Sequence, residues 1–161
     1  MKKIQDPAQA FLMKIQALYD IEKQLEKALP KMAKAAKDEG FQDAFLSHLE
    51  ETKEHSKRLE GIFKMLGVAP KKLSCDGIRG IVEDTKWTIE QDATPALKDA
   101  MIASAARYAE HYEMAGYMSA IAQARFLGMV DAAALLTETL AEEQAADKVL
   151  DGAMKAALKE A

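Results

Sequence analysis

The run ARYAEHYEMAGY, residues 106 to 117, sets the acids Glu110 and Glu113 into a face otherwise made of small apolar residues. At roughly 100° per residue, Ala106, Ala109, Glu113, Ala120 and Ala124 form one narrow helical stripe, with Glu110 and Tyr117 beside it. Burying an unpaired carboxylate costs several kcal/mol or forces it to take a proton, and few basic side chains lie on this stripe. A bound cation is the economical partner. The same anomaly recurs along the chain. Glu22 sits at the centre of the stripe Phe11, Ile15, Leu18, Leu25, Leu29 and Ala33. In the run HLEETKEH, steps of three and four place His48, Glu51 and His55 on one flank, with Glu54 further round and Glu50 further still. Glu143 is centred among Leu136, Leu140, Leu150, Met154 and Leu158, with Asp147 one turn on. Glu142 points roughly 100° away from Glu143 and reads as solvated.

Taken singly, each of these acids reads as a salt-bridged or snorkelling side chain and each histidine as an ordinary half-buried one. Their recurrence on four helices is what points to metal. Two divalent ions would offset four or five carboxylates. Oxygen-rich ligation with one or two imidazoles suits iron, or alternatively manganese, better than structural zinc in a closed Cys and His tetrahedron. The expected ligands are Glu22, His48, Glu51, Glu110, Glu113, Glu143 and Asp147, with His55 and Glu54 in second rank. A carboxylate-bridged pair reached by a small molecule exchanges electrons with O₂ or peroxide. Tyr19, Tyr112 and Tyr117 would fill space near such a centre or tune it.

The elements that must position these residues are all helical. The chain has 161 residues, 49% of them hydrophobic but only 6% aromatic, the composition of a single all-α bundle. Asp6 with Pro7, and Thr94 with Pro95, are cap-then-proline starts. Gly40, Gly67 and Gly128 read as stops. Expected helices cover about 6–38, 42–66, 75–92, 95–127 and 131–159, with Ser74 capping the shorter third one and Asp131 opening the last. Pro30 is expected to kink the first helix. Trp87 lies off the apolar stripe of its helix, as a residue covering the bundle edge or a subunit contact would.

Composition also excludes. A net charge of −4, with basic residues at the N-terminus limited to Lys2 and Lys3, offers no nucleic-acid footprint and disfavours a DNA-protecting scaffold. Cys75 stands alone, so no internal disulfide or Cys-pair metal knuckle forms. No apolar run matches a membrane span or signal core. These features predict a soluble, cytoplasmic protein.

The segments YDIEKQLEKALPKMAKAA, HLEET, CDGIRGIVED, AEHYEMAGY and LLTETLAEEQAADKVL together resemble the ferritin-like superfamily of carboxylate-bridged di-iron bundles, and more closely the YciE/YciF family of bacterial stress-associated proteins. The resemblance covers nearly the whole chain. It implies a ferritin-like four-helix bundle with a short additional helix in the crossover between the second and third long helices, and a homodimer. It also implies Glu22 and Glu110 as acids of the first and third long helices, Glu51 and Glu143 as bridging acids, and Glu113 and Asp147 as terminal ligands. The usual Glu-x-x-His signature is altered. The second helix has Glu51-x-x-Glu54 flanked by His48 and His55, and the fourth has Glu143 followed by Asp147. The chain has no Cys-rich electron-transfer domain of the rubrerythrin kind, so turnover would require an external electron donor. Two functional expectations follow: a di-metal protein that reacts with O₂ or peroxide or handles iron under stress, or a non-enzymatic helical dimer with a structural or interaction role and a vestigial or regulatory metal site.

Overall fold

The computed structural model describes residues 3–161; Met1 and Lys2, the latter half of the N-terminal basic pair, lie outside the described residues. Among the described residues five helices follow one another: α1 (Pro7–Ala35), α2 (Glu39–Met65), α3 (Asp76–Glu90), α4 (Pro95–Phe126) and α5 (Val130–Glu160). Each start has a local cause. The Asp6 carboxylate accepts from the Ala8 amide at 2.9 Å, and Pro7 occupies a position whose amide would be orphaned anyway. Asp38 caps α2 by accepting from the Phe41 amide at 2.8 Å. Gly67 and Gly128 adopt φ of 69° and 70°, the left-handed conformation that ends α2 and α4 without a Cβ clash.

Some expected boundaries shift. Gly40 is not a stop: Ala35 ends α1, and Gly40 falls in the first turn of α2, because Asp38 supplies a cap two residues before it. Cys75, not Ser74, is the residue preceding α3, and Ser74 donates to the Asp76 side chain instead. The cap role at Thr94 is filled without a side-chain bond, leaving Pro95 as the operative start signal. Val130 precedes Asp131 in α5. Helix α1 runs through Pro30 as one helix.

Helices α1 and α2 form one antiparallel hairpin and α4 and α5 another. The hairpins pack through α1 against α4 and α2 against α5. The start of α4 meets the α1–α2 turn, where Asp99 accepts from the amides of Lys37 and Asp38 at 2.7 and 2.8 Å. Hence α4 runs parallel to α2, and the chain must travel the length of the bundle between them. Helix α3 makes that return along the outer seam of α1 and α4. Its approach is held by Asp20, which accepts from the Cys75 amide at 2.9 Å and pairs with Lys72. Its end is held by the Lys98 ammonium, which donates to the carbonyls of Ile89, at 2.7 Å, and Gln91.

Phe11, Ile15, Leu18, Ile21, Leu25, Leu29 and Met32 are buried along α1 at the spacing read from the sequence. Each such side chain stabilises the fold by roughly 1.5–3 kcal/mol. They belong to two apolar clusters. One, built around Phe11, Phe63, Tyr117 and Leu136, fills the end of the bundle near the α4–α5 turn. The other, around Met32, Phe41, Phe45 and Ile102, fills the end near the α1–α2 turn. Among the described residues no helix is long and apolar enough to cross a membrane.

Candidate metal centre

Between the apolar clusters lies a layer of ionisable side chains. Glu22, His55, Glu110, Glu113 and Glu143 are almost wholly enclosed, and His48 is 8% exposed. Helix α1 supplies Glu22, α2 both histidines, α4 Glu110 and Glu113, and α5 Glu143. Two sets of ligand-type atoms converge: Glu22, His55 and Glu143 in one, His48, Glu110 and Glu143 in the other, all within 4.8 Å of one another in each set. Glu143 joins them. Its Oε1 lies 3.0 Å from His55 Nδ1 and its Oε2 lies 3.7 Å from His48 Nε2. His55 Nδ1 is also 3.5 Å from Glu22 Oε2, and His48 Nε2 is 3.3 Å from Glu110 Oε1.

These approaches lack hydrogen-bond geometry. Glu22 Oε2, His55 Nδ1, Glu110 Oε2 and both carboxylate oxygens of Glu113 and of Glu143 are buried without a hydrogen-bond partner. Native interiors leave few such atoms, and each costs about 1–3 kcal/mol. Six carboxylate oxygens and one imidazole nitrogen in one layer, with His48 Nε2 facing them, is donor chemistry that suits a divalent cation. The residues present fit the group that the sequence implied.

Electrostatics follow from this geometry. Burial raises Glu22 and Glu143 above the ordinary carboxylate range, and burial with the charges of Glu143, Glu22 and Glu110 raises Glu113 well above it. Burial pulls the histidines down, but the surrounding carboxylates prevail. His48 is held well above its ordinary value, and His55 is pushed up to about 10. Without metal these directions favour the protonated form of both imidazoles and of Glu22, Glu113 and Glu143. Tyr117 donates its hydroxyl to Glu22, and burial with the charge of Glu22 raises that phenol well above its ordinary value.

Several expected residues lie elsewhere. Asp147 is outside the layer: Arg107 of α4 engages it at 2.7 Å and His111 approaches at 3.3 Å, so α5 turns it toward the bundle surface. Glu54 is exposed and pairs with Lys57. Glu51 is exposed too, and reaches back only to His48 Nδ1, at 3.3 Å, rather than bridging the two sets. His55, placed in second rank from the sequence, is central. Glu142 is not fully solvated: it is half-buried, lies 2.8 Å from His55 Nε2, and is bound by Arg58, which lowers its pKa. Arg58 was not singled out by the sequence pattern, although its place three residues after His55 puts it on the same flank. Tyr19 donates to Glu60 and Tyr112 contacts Cys75, so among the tyrosines Tyr117 is the one bonded to a residue of the layer.

The family model described as a domain of unknown function, DUF892, matches residues 6–161. The chain belongs to the DUF892 family. Protein YciF of Escherichia coli (strain K12) is 36% identical to this DUF892 chain over 148 residues, covering 91% of the chain and 87% of the relative. The crystal structure of the E. coli stress protein YciF matches with a TM-score of 0.93 at 32% identity, covering 98% of this chain and all of that one. YcfI of Rhodopseudomonas palustris, described as a candidate structural protein, matches with a TM-score of 0.90 at 37% identity over 93% of this chain and 96% of that one. The DUF892 chain thus has the ferritin-like bundle that its sequence resembles.

Proposed function

We propose that this DUF892 protein is a ferritin-like di-metal protein, with iron as its metal and manganese as the alternative, that reacts with O₂ or peroxide or handles iron under stress. One observation carries the reading: seven buried donor atoms of five residues face one another across four helices without hydrogen-bond partners. Glu22, His55 and Glu143 would hold one ion and His48, Glu110 and Glu143 the other, with Glu113 neutralising charge between them. Two ferrous ions would supply electrons to the oxidant, and an external donor would return them. The chain's own part is to hold the ligands at a common depth, exclude bulk water with the apolar clusters above and below, and fix Glu22 through the Tyr117 hydroxyl.

Anaerobic reconstitution with Fe(II), followed by metal analysis and absorbance on adding peroxide, tests it. About two irons per chain and an oxidant-dependent spectral change are expected; absence of bound metal refutes it.

The exposed Trp87 and Tyr108, 62% and 67% accessible, favour a second reading in which a helical homodimer has a structural role. Metal analysis with added peroxide separates the two, because a structural dimer with a vestigial or regulatory metal site is expected to hold substoichiometric metal that does not respond to oxidant.

A further inference from the structure

The two sets of ligand atoms share Glu143 but are built unequally, and this inference rests on the di-metal reading above. In the first set His55 is fully enclosed, with Nδ1 facing Glu22 and Glu143 and Nε2 2.8 Å from Glu142. By accepting the Nε2 proton, Glu142 fixes the tautomer whose Nδ1 lone pair points inward. Glu142 is itself clamped. Both terminal nitrogens of Arg58 donate to it, and the same guanidinium donates to Thr139 at 3.2 Å and Glu138 at 2.8 Å.

In the second set the ring is used the other way round. His48 turns Nε2 inward and Nδ1 outward, toward Glu51 at 3.3 Å. The Glu51 side chain is 46% exposed, and among the described residues no Lys or Arg forms a salt bridge with it. A cavity of about 260 Å³ opens beside this ring at the α2–α5 seam, with Ala44, Ser47, His48, Glu51, Ala145 and Ala146 on its walls. One imidazole is therefore held from behind by a clamped carboxylate, and the other backs onto a more exposed carboxylate and the cavity.

We infer that the two metal positions divide the work. The His55 position is the tightly retained one, and the His48 position is the exchangeable one, reached by a small exogenous ligand through the α2–α5 cavity. Glu142 with Arg58, and Glu51, are positioning residues acting through His55 and His48 respectively.

Anaerobic calorimetric titration with Mn(II) alone tests the division, with Co(II) spectra as a second readout and azide as the exogenous probe. The unaltered protein is expected to bind in two steps separated at least tenfold in affinity. Glu142→Gln weakens the tighter step by about 10–100-fold and spares the weaker. Arg58→Met, which removes the clamp while leaving every ring contact, acts on that same step. Glu51→Gln weakens only the other. Ala146→Leu, which fills the cavity, abolishes the azide-induced change of the Co(II) spectrum while both metal steps persist. Two metals binding in one indistinguishable step, or Glu51→Gln and Glu142→Gln acting on the same step, overturns the division alone. A protein that binds no metal overturns the di-metal reading and this inference with it.

Discussion

Glu113→Gln separates a metal centre from a buried ion-pair network, because the two predict opposite outcomes. Both Glu113 oxygens are enclosed without a hydrogen-bond partner, and Glu143, Glu22 and Glu110 all repel its charge. Glutamine keeps the volume, fixes as neutral a position where the carboxyl must hold a proton, and brings two N–H donors to a layer rich in unpartnered carboxylate oxygens. Relieving an unsatisfied buried group stabilises by about 1–3 kcal/mol. For a chain of this size that is roughly 2–12 °C in Tm, so the metal-free variant is expected to melt above the unaltered protein. Metal reverses the comparison. At free metal one hundred times Kd, the unaltered protein gains about 2.7 kcal/mol. Losing a carboxylate that neutralises the ions is expected to weaken binding at least tenfold, which removes about 1.4 kcal/mol of that gain. Calorimetry in chelator and again with Mn(II) under argon reads both quantities. A variant that melts lower in chelator, or that shows an undiminished metal shift, refutes the reasoning: Glu113 would then be a satisfied structural acid.

Three further outcomes are expected. Glu22, Glu113, Glu143, His48 and His55 all have folded pKa values raised above their ordinary ones, so the folded metal-free protein binds more protons than the unfolded chain. Its stability is expected to fall as pH rises from about 5 toward 10, by up to ~1.4 kcal/mol per pH unit for each proton bound only when folded. The His55 contribution is complete below pH 6.5 and lost as pH passes its folded value of about 10. Urea melts in chelator at pH 6, 7.5 and 9 check this, and a flat or rising series contradicts it. Asp147→Asn is expected to leave Mn(II) affinity within about twofold and to cost about 1 kcal/mol, since it weakens a half-buried pair with Arg107 and the approach of His111 and touches no residue of the layer; tenfold weaker binding would place Asp147 in the centre after all. Asp99→Ala strips two backbone amides of the α1–α2 turn of their acceptor and is expected to cost about 2 kcal/mol, or roughly 4–8 °C, with metal stoichiometry unchanged.

Helical phase was enough to bring Glu22, Glu110, Glu113 and Glu143 to the inside, because an acid centred among leucines and alanines has one direction to point. Cap-then-proline pairs placed the starts of α1 and α4. The sequence was a poorer guide to α2, where phase put His48, Glu51 and His55 together on one flank and the resemblance drew attention to Glu51 ahead of His55. The packed bundle encloses both histidines and leaves Glu51 exposed. Glu142 and Asp147 failed for a reason no single-helix wheel contains. Their surroundings are set by the neighbouring helix, where Arg58 folds Glu142 back onto His55 and Arg107 draws Asp147 outward. Gly40 misled because a left-handed stop and the first turn of a capped helix both tolerate glycine, and Asp38 two residues earlier decided between them.

The arrangement of the helices in pairs has one last consequence. Glu22, His48 and His55 come from one hairpin, and Glu110, Glu113 and Glu143 from the other, so the ionisable layer lies on the seam along which the two helical pairs meet. On the proposed reading, ions held there would act as a clasp between the halves. Depletion of cellular metal would then register first as a shortened lifetime of the protein, with amide exchange rising at the facing surfaces of α1 and α4 while each hairpin stays intact.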